Sequence, residues 1–247
     1  MTRGGRKTIR AEDIRRLHFG YFVAPDGTPD SGQARPVTGF LIRHPGGLFL
    51  FDTGMSPWDE ESDAVYQPRF TPADAVLRAA GVEPADIGAI ANCHLHADHA
   101  GGNHHFPGIR VHVQEAELAV AGEPDFTYPE FTFAYPGAAL EPISGEVDVA
   151  PGMRLVPTPG HTPGHQSLLV DTDAGRWLLA GQASDSAWAF SSHAFAERLR
   201  AEGLDAIGEH PAWIGHLRDW RVDRALFAHD LLVWERDSAQ LGQPRRP

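Results

Sequence analysis

The sequence predicts a layered α/β sandwich in one domain. An opening β-meander, a central strand–helix alternation and a second group of strands with helices all point to that class.

The meander comes first. Leu17 to Ala24, Val37 to Arg43 and Leu48 to Asp52 read as strands, separated by the turn residues Pro25-Asp26-Gly27 and Pro45-Gly46-Gly47. It ends at Asp52-Thr53-Gly54, where glycine permits a sharp turn. Thr71-Pro72 then starts a helix, with Thr71 as the cap and proline tolerated in the first turn. Ala75, Val76, Ala79 and Ala80 form its apolar face, and Gly81 ends it. Ile87 to Cys93 is almost continuously apolar, the pattern of a buried strand. Ile109 to Val113 predicts another strand, and Gln114 to Ala121 another helix.

Residues 124–140 break this rhythm, because Phe126, Tyr128, Phe131, Phe133 and Tyr135 stand among prolines. The expectation is an ordered aromatic excursion on the surface. It would form either one wall of a substrate pocket or a local core or subunit contact, and the last leaves room for a homodimer. Strands resume at Met153 to Pro157, Gln166 to Asp171 and Arg176 to Ala180. A helix is expected around Ala194 to Glu202 and a last short strand at Arg224 to Ala228. The division that follows is a flexible arm at 1–10, a single domain at 11–237 and a frayed tail at 238–247.

Composition narrows the class. Of 247 residues, 42% are hydrophobic, enough for a sizeable core, and 22% are charged, too few for a disordered chain. The net charge of −12 repels phosphate backbones and anionic membranes, so neither nucleic acid nor a membrane is an expected partner. The basic residues Arg3, Arg6, Lys7 and Arg10 are not followed by the apolar stretch of a signal peptide. No apolar run approaches the roughly 20 residues that span a bilayer. With a single cysteine, Cys93, no intrachain disulfide forms, and a cytoplasmic location is expected. Cys93 is expected to pack as a small apolar residue rather than act as a nucleophile.

Chemistry concentrates in the histidines. His94-x-His96-x-Asp98-His99 places four good metal ligands within six residues, just after a buried strand. Imidazole and carboxylate suit zinc, and iron or manganese with less preference. Gly101 and Gly102 let the backbone pass close by. Two further histidines follow strands: His161, in a loop shaped by Pro159-Gly160 and Pro163-Gly164, and His229, after Ala225 to Ala228. Strand ends of this kind form the usual crevice for a site.

Four segments together resemble the metallo-β-lactamase superfamily, and within it the N-acyl-homoserine lactonase group. They are Phe51-Asp52-Thr53-Gly54, the run from His94 to Asn103, the run from Thr158 to Ser167, and Phe227-Ala228-His229-Asp230. The resemblance spans roughly Phe40 to Asp230 and implies a four-layer αββα sandwich. It implies that His94, His96 and His161 hold a first metal and that Asp98, His99 and His229 hold a second. Asp52 would orient ligands, and His165 would stand behind them as a supporting imidazole or simply pack in its loop. Zinc, as one or two ions, is the implied cofactor, with iron or manganese as substitutes.

One position departs from the family. Its bridging aspartate falls on Gln182, which is neutral and a weaker oxygen ligand. Three outcomes stay open: Gln182 ligates through its amide oxygen, Asp185 reaches the site instead, or one metal is held tightly. Asp185 also falls where related lactonases carry a tyrosine that polarises the substrate.

The implied activity is opening of a lactone or cleavage of a related ester by water activated at the metal, with Asp98 as the catalytic acid–base. The implied partner is thus a small-molecule lactone or ester. Other hydrolases on this scaffold (thioester, β-lactam or phosphoester), a mononuclear iron oxygenase of sulfur compounds and a non-catalytic metal binder are the competing readings.

Overall fold

The computed structural model describes residues 8–28, 30–123, 126–204 and 208–236. The expected tail at 238–247 and residues 1–7 of the expected arm lie outside these.

The chain opens with β1 (Ile14–Val23), β2 (Ala34–His44) and β3 (Gly47–Phe51), each antiparallel to the one before. After α1 (Glu60–Tyr66), β4 (Arg69–Phe70) adds to the outer edge of β1. Then come α2 (Ala73–Ala79), β5 (Ile87–Ala91), α3 (Ala97–Ala100), β6 (Arg110–Gln114), α4 (Glu115–Leu118), α5 (Pro129–Thr132) and β7 (Ala139–Ile143). These strands form one seven-stranded sheet in the order β4-β1-β2-β3-β5-β6-β7, parallel from β3 to β7.

The second sheet has six strands. They are β8 (Val147–Ala150), β9 (Met153–Pro157), β10 (Gln166–Thr172), β11 (Gly175–Leu179), β12 (Val222–Leu226) and β13 (Val233–Glu235). Between β11 and β12 runs α6 (Ala187–Ala201), and those two strands are parallel, as a helical crossover requires.

Three apolar clusters define the layers. Phe40, Phe49, Phe51 and Ala91 of the first sheet meet Leu155, Leu168, Val170 and Leu179 of the second, closing the central core. On the outer side of the first sheet, Ala73 and Leu77 of α2 pack on Leu17, Leu50 and Ile90. On the outer side of the second, Phe190 of α6 packs with Trp213, Leu178 and Phe227. Helix, sheet, sheet, helix is the four-layer αββα sandwich.

Several boundaries differ from expectation. Ile9 is buried and bridges Thr172, so the end of the expected arm belongs to the fold. Thr71 does not cap α2: its N–H goes to the Phe19 carbonyl, extending β4 pairing, and Pro72 holds the cap position. The last helix starts seven residues earlier than expected, at Ala187, because the Ser186 side chain accepts the Ala189 N–H. β5 ends at Ala91 and β12 at Leu226, which leaves Cys93 and Phe227-Ala228 beyond the strands, still buried. The aromatic excursion is divided in use: Tyr135 is buried, Phe133 packs on the outer core, Phe126 to Tyr128 line a cavity, and Ala139 onward is strand. Among the described residues no helix is long and apolar enough to cross a membrane.

Candidate metal centre

The segments that carry Asp52, His94 to His99, His161, Gln182 and His229 all begin at the C-terminal ends of strands. The loops follow β3, β5, β9, β11 and β12, and they are tied across the sandwich. Gln166 gives its N–H to the Cys93 carbonyl and its side-chain amide to the Asn92 carbonyl, at 2.8 and 2.9 Å. Thr38 gives its N–H to the Ala228 carbonyl at 3.0 Å. Ligand loops from both sheets are therefore fixed against one another by backbone contacts.

The turn after β3 is strained to place a carboxylate. Asp52 sits at φ +65°, a region that non-glycine residues seldom adopt. One oxygen accepts the Cys93 N–H at 2.7 Å, and the other meets His99 Nδ1 at 3.1 Å. Gly54, at φ +77°, passes so close to Phe19 that a Cβ would lie 2.3 Å from its ring. Gly102 passes equally near the Thr53 carbonyl. The loop can thus turn its histidines inward only because these positions lack side chains.

Two groups of donors converge. In the first, single donor atoms of His94, His96 and His161 all lie within 4.8 Å of one another, with His96 Nδ1 and His161 Nε2 at 3.0 Å. In the second, His99 Nε2 and His229 Nε2 are 3.0 Å apart, and an Asp98 oxygen stands 3.3 and 3.2 Å from them. Gln182 Oε1 points into the second group, 3.1 Å from His99 Nε2 and 3.3 Å from His229 Nε2. The groups adjoin, since His94, Asp98 and His99 also share a 4.8 Å neighbourhood.

These residues fit a cation. His94 is fully buried, and its Nε2 has no hydrogen-bond partner among the described residues. That is costly for a polar atom unless something else binds it. His229 Nδ1 donates to the Pro36 carbonyl at 2.8 Å, which fixes the tautomer that leaves Nε2 as a bare lone pair. A tetrahedral zinc with bonds of about 2.0–2.1 Å spaces its ligands about 3.3 Å apart. The spacings of 3.0–3.3 Å among Asp98, His99 and His229 lie close to that value, as does the 3.0 Å between His96 and His161.

Electrostatics agree. Burial, reinforced by the neighbouring histidines, holds the His94 imidazole well below its ordinary pKa, so it is neutral, as a ligand must be. Burial opposes charge on Asp98, but His99 and His229 outweigh it and keep the carboxyl well below its usual range. Burial also opposes charge on His99, yet the adjoining Asp98 and Asp52 carboxylates push it well above its ordinary value. The acidic surroundings of His99 thus call for positive charge, whether proton or metal.

The remaining expected residues separate. Both ring nitrogens of His165 are occupied: Nε2 accepts the Gln182 N–H at 3.1 Å, and Nδ1 bonds Thr158 Oγ1 at 2.8 Å. It supports the Gln182 loop from behind. The Asp185 side chain is 57% exposed, 3.3 Å from Gln182 Nε2 and 3.4 Å from Arg35 Nη1, so it contacts the site through the glutamine amide. Cys93 is fully buried in the central core, and burial pushes its thiol up to about 12, which leaves no thiolate for nucleophilic work.

Sequence reasoning missed the polar contacts that hold the loops. Thr53 Oγ1, Asn103 and Asn92 link the turn after β3 to the His99 loop at 2.8–3.2 Å. Glu117 of α4 binds the loops of His94 and His161 together. Nothing local distinguishes such residues in the sequence; Glu115 and Glu117 look alike there.

A cavity of about 540 Å³ opens over both groups. Asp98, His96, His161 and Gln182 form its floor, and Phe22, Trp58, Tyr66 and Phe126 its walls.

The metallo-beta-lactamase superfamily model matches residues 32–184 of this chain. An N-acyl homoserine lactonase of a Bacillus species is 36% identical over 192 residues, which cover 72% of this chain and 74% of the relative. Among solved structures, a mutant of B. thuringiensis AiiA with N-decanoyl-L-homoserine bound at the active site aligns at a TM-score of 0.73 and 26% identity, covering 91% of this chain and 94% of that one. An N-acyl homoserine lactone hydrolase with the product N-hexanoyl-L-homoserine bound at the catalytic metal center aligns at 0.72 and 26%, with the same coverage.

Proposed function

Because the chain belongs to the metallo-β-lactamase superfamily, we propose that it is a metal-dependent hydrolase that opens the ring of N-acyl homoserine lactones. The observation that carries this reading is the convergence of two donor groups beneath one aromatic-walled cavity.

His94, His96 and His161 would hold one ion, and Asp98, His99 and His229 a second, with zinc the metal that best suits these donors. Bound there, zinc supplies Lewis acidity, which makes water available as a nucleophile near neutral pH and polarises a lactone carbonyl.

The chain's own residues do the rest. Asp98, on the cavity floor, takes the proton from the attacking water. It then delivers that proton to the ring oxygen as the C–O bond breaks. Asp52 fixes the ring plane of His99, and the Pro36 carbonyl fixes that of His229. Gln182 turns its amide oxygen toward the second group while its amide nitrogen donates to Asp185, itself paired with Arg35. That arrangement favours amide ligation over direct reach by Asp185. Phe22, Trp58, Tyr66 and Phe126 offer apolar surface to an acyl chain. The lone unpaired cysteine suits action in the reducing cytoplasm, where such thiols stay reduced.

The test is turnover of a series of N-acyl homoserine lactones by metal-loaded protein, followed by release of the product carboxyl group. Ring opening should stop on chelation and return with zinc. A loaded protein that opens no member of the series overturns the proposal. Because Gln182 is neutral, a mononuclear iron oxygenase stays as the second reading; one iron and no zinc per chain would favour it.

A further inference from the structure

Glu117 lies on α4, outside both donor groups, and is fully buried. A buried carboxylate needs several donors to offset desolvation, and here they come from two different loops. Oε1 accepts the backbone N–H of Leu95, between His94 and His96, at 2.9 Å. Oε2 accepts the Thr162 hydroxyl at 2.6 Å and the Gly164 N–H at 3.1 Å, both just after His161. The second loop is pressed against the carboxylate's own backbone: a Cβ on Gly164 would lie 2.1 Å from Glu117 N.

All three contacts fall beside members of one donor group, although the Leu95 loop runs on to Asp98 and His99. Leu95 is flanked by two of that group's histidines, and Thr162 adjoins the third. The Asp98, His99 and His229 group has other supports, in Asp52 and the Pro36 carbonyl.

We propose that Glu117 is a positioning residue that clasps the His94–His96 loop to the His161 loop and so assembles the first donor group without supporting the second. The inference rests on the two-ion reading above. The clasp needs an acceptor at both oxygens. A glutamine of the same size presents one amide nitrogen, which meets either the Leu95 N–H or the Gly164 N–H as donor against donor. Glu117→Gln therefore keeps the volume and breaks one arm. Thr162→Val is milder, removing a single strap and leaving the carboxylate in place.

The experiment is a zinc titration against a chromophoric chelator, with Glu117→Gln placed in two backgrounds. His229→Ala leaves the first group as the tighter site, and His96→Ala leaves the second. Loss of an outer support costs about 10–100-fold in metal affinity. That loss is expected in the His229→Ala background, with less than a threefold change in the His96→Ala background. Thr162→Val should weaken the same site by a smaller factor. Equal weakening in both backgrounds, or none in either, overturns the proposal while the two-ion reading stands. A parent protein in which His96→Ala and His229→Ala do not each remove an ion overturns that reading, and the proposal with it. Should Glu117→Gln fail to fold, Thr162→Val alone decides: equal effects on both sites count against the clasp.

Discussion

The two donor groups adjoin, yet the fold holds them by different means. His94, His96 and His161 are all neutral imidazoles, drawn from loops of opposite sheets and clasped by one buried carboxylate. Asp98, His99 and His229 bring a carboxylate of their own, and each of their histidines is oriented singly, by Asp52 and by the Pro36 carbonyl. The first group depends on how two loops are set against each other. The second depends on two strand ends and on charge. In the family it resembles, a bridging aspartate would couple the two; here a neutral glutamine stands at that position.

The difference can be broken from either side. The largest effect is expected from removing a ligand: His96→Ala should eliminate the first ion and His229→Ala the second, each with turnover near background, as metal content and lactone opening will show. Retention of both ions in either variant would remove the distinction altogether. Asp98→Asn should lower kcat by about 10²–10⁴-fold, the usual worth of a general acid–base. KM should change less, and steady-state kinetics on metal-saturated enzyme separates the two. Asp52→Asn keeps an oxygen for the Cys93 N–H but removes the carboxylate charge facing His99, and should weaken the second ion by about 10–100-fold, with a smaller effect on the first in a chelator titration. The smallest change is a gain. Gln182→Asp places a unit charge beside the second ion, worth about 1 kcal/mol at about 4 Å when screened as in water. Its affinity should therefore rise about fivefold. If metal stoichiometry and affinity do not move, Gln182 does not face the ion.

The histidine cluster was legible because metal chemistry restricts side-chain types sharply: few residues ligate, and four of them stand within six positions at His94 to His99. The strands were legible because burial on both faces leaves apolar runs, as in Leu48 to Phe51. Strand ends were less so. Cys93 and Phe227 are as buried as the strands they follow, so hydropathy does not mark where pairing stops. The start of α6 was hidden as well, since Trp188 and the paired serines, Ser191 and Ser192, obscure its period.

By itself the sequence determined the layered class, the donor types and their order along the chain. These follow from local hydropathy and from the intrinsic chemistry of imidazole and carboxylate. Only the tertiary structure decided which residues support the donors, because that role is a matter of distance between loops far apart in sequence. Glu117 and Glu115 are equivalent as letters; burial against Thr162 and Gly164 makes one of them a clasp. The orientation of the Gln182 amide, between His99 and Asp185, is likewise set by neighbours that no local pattern reveals.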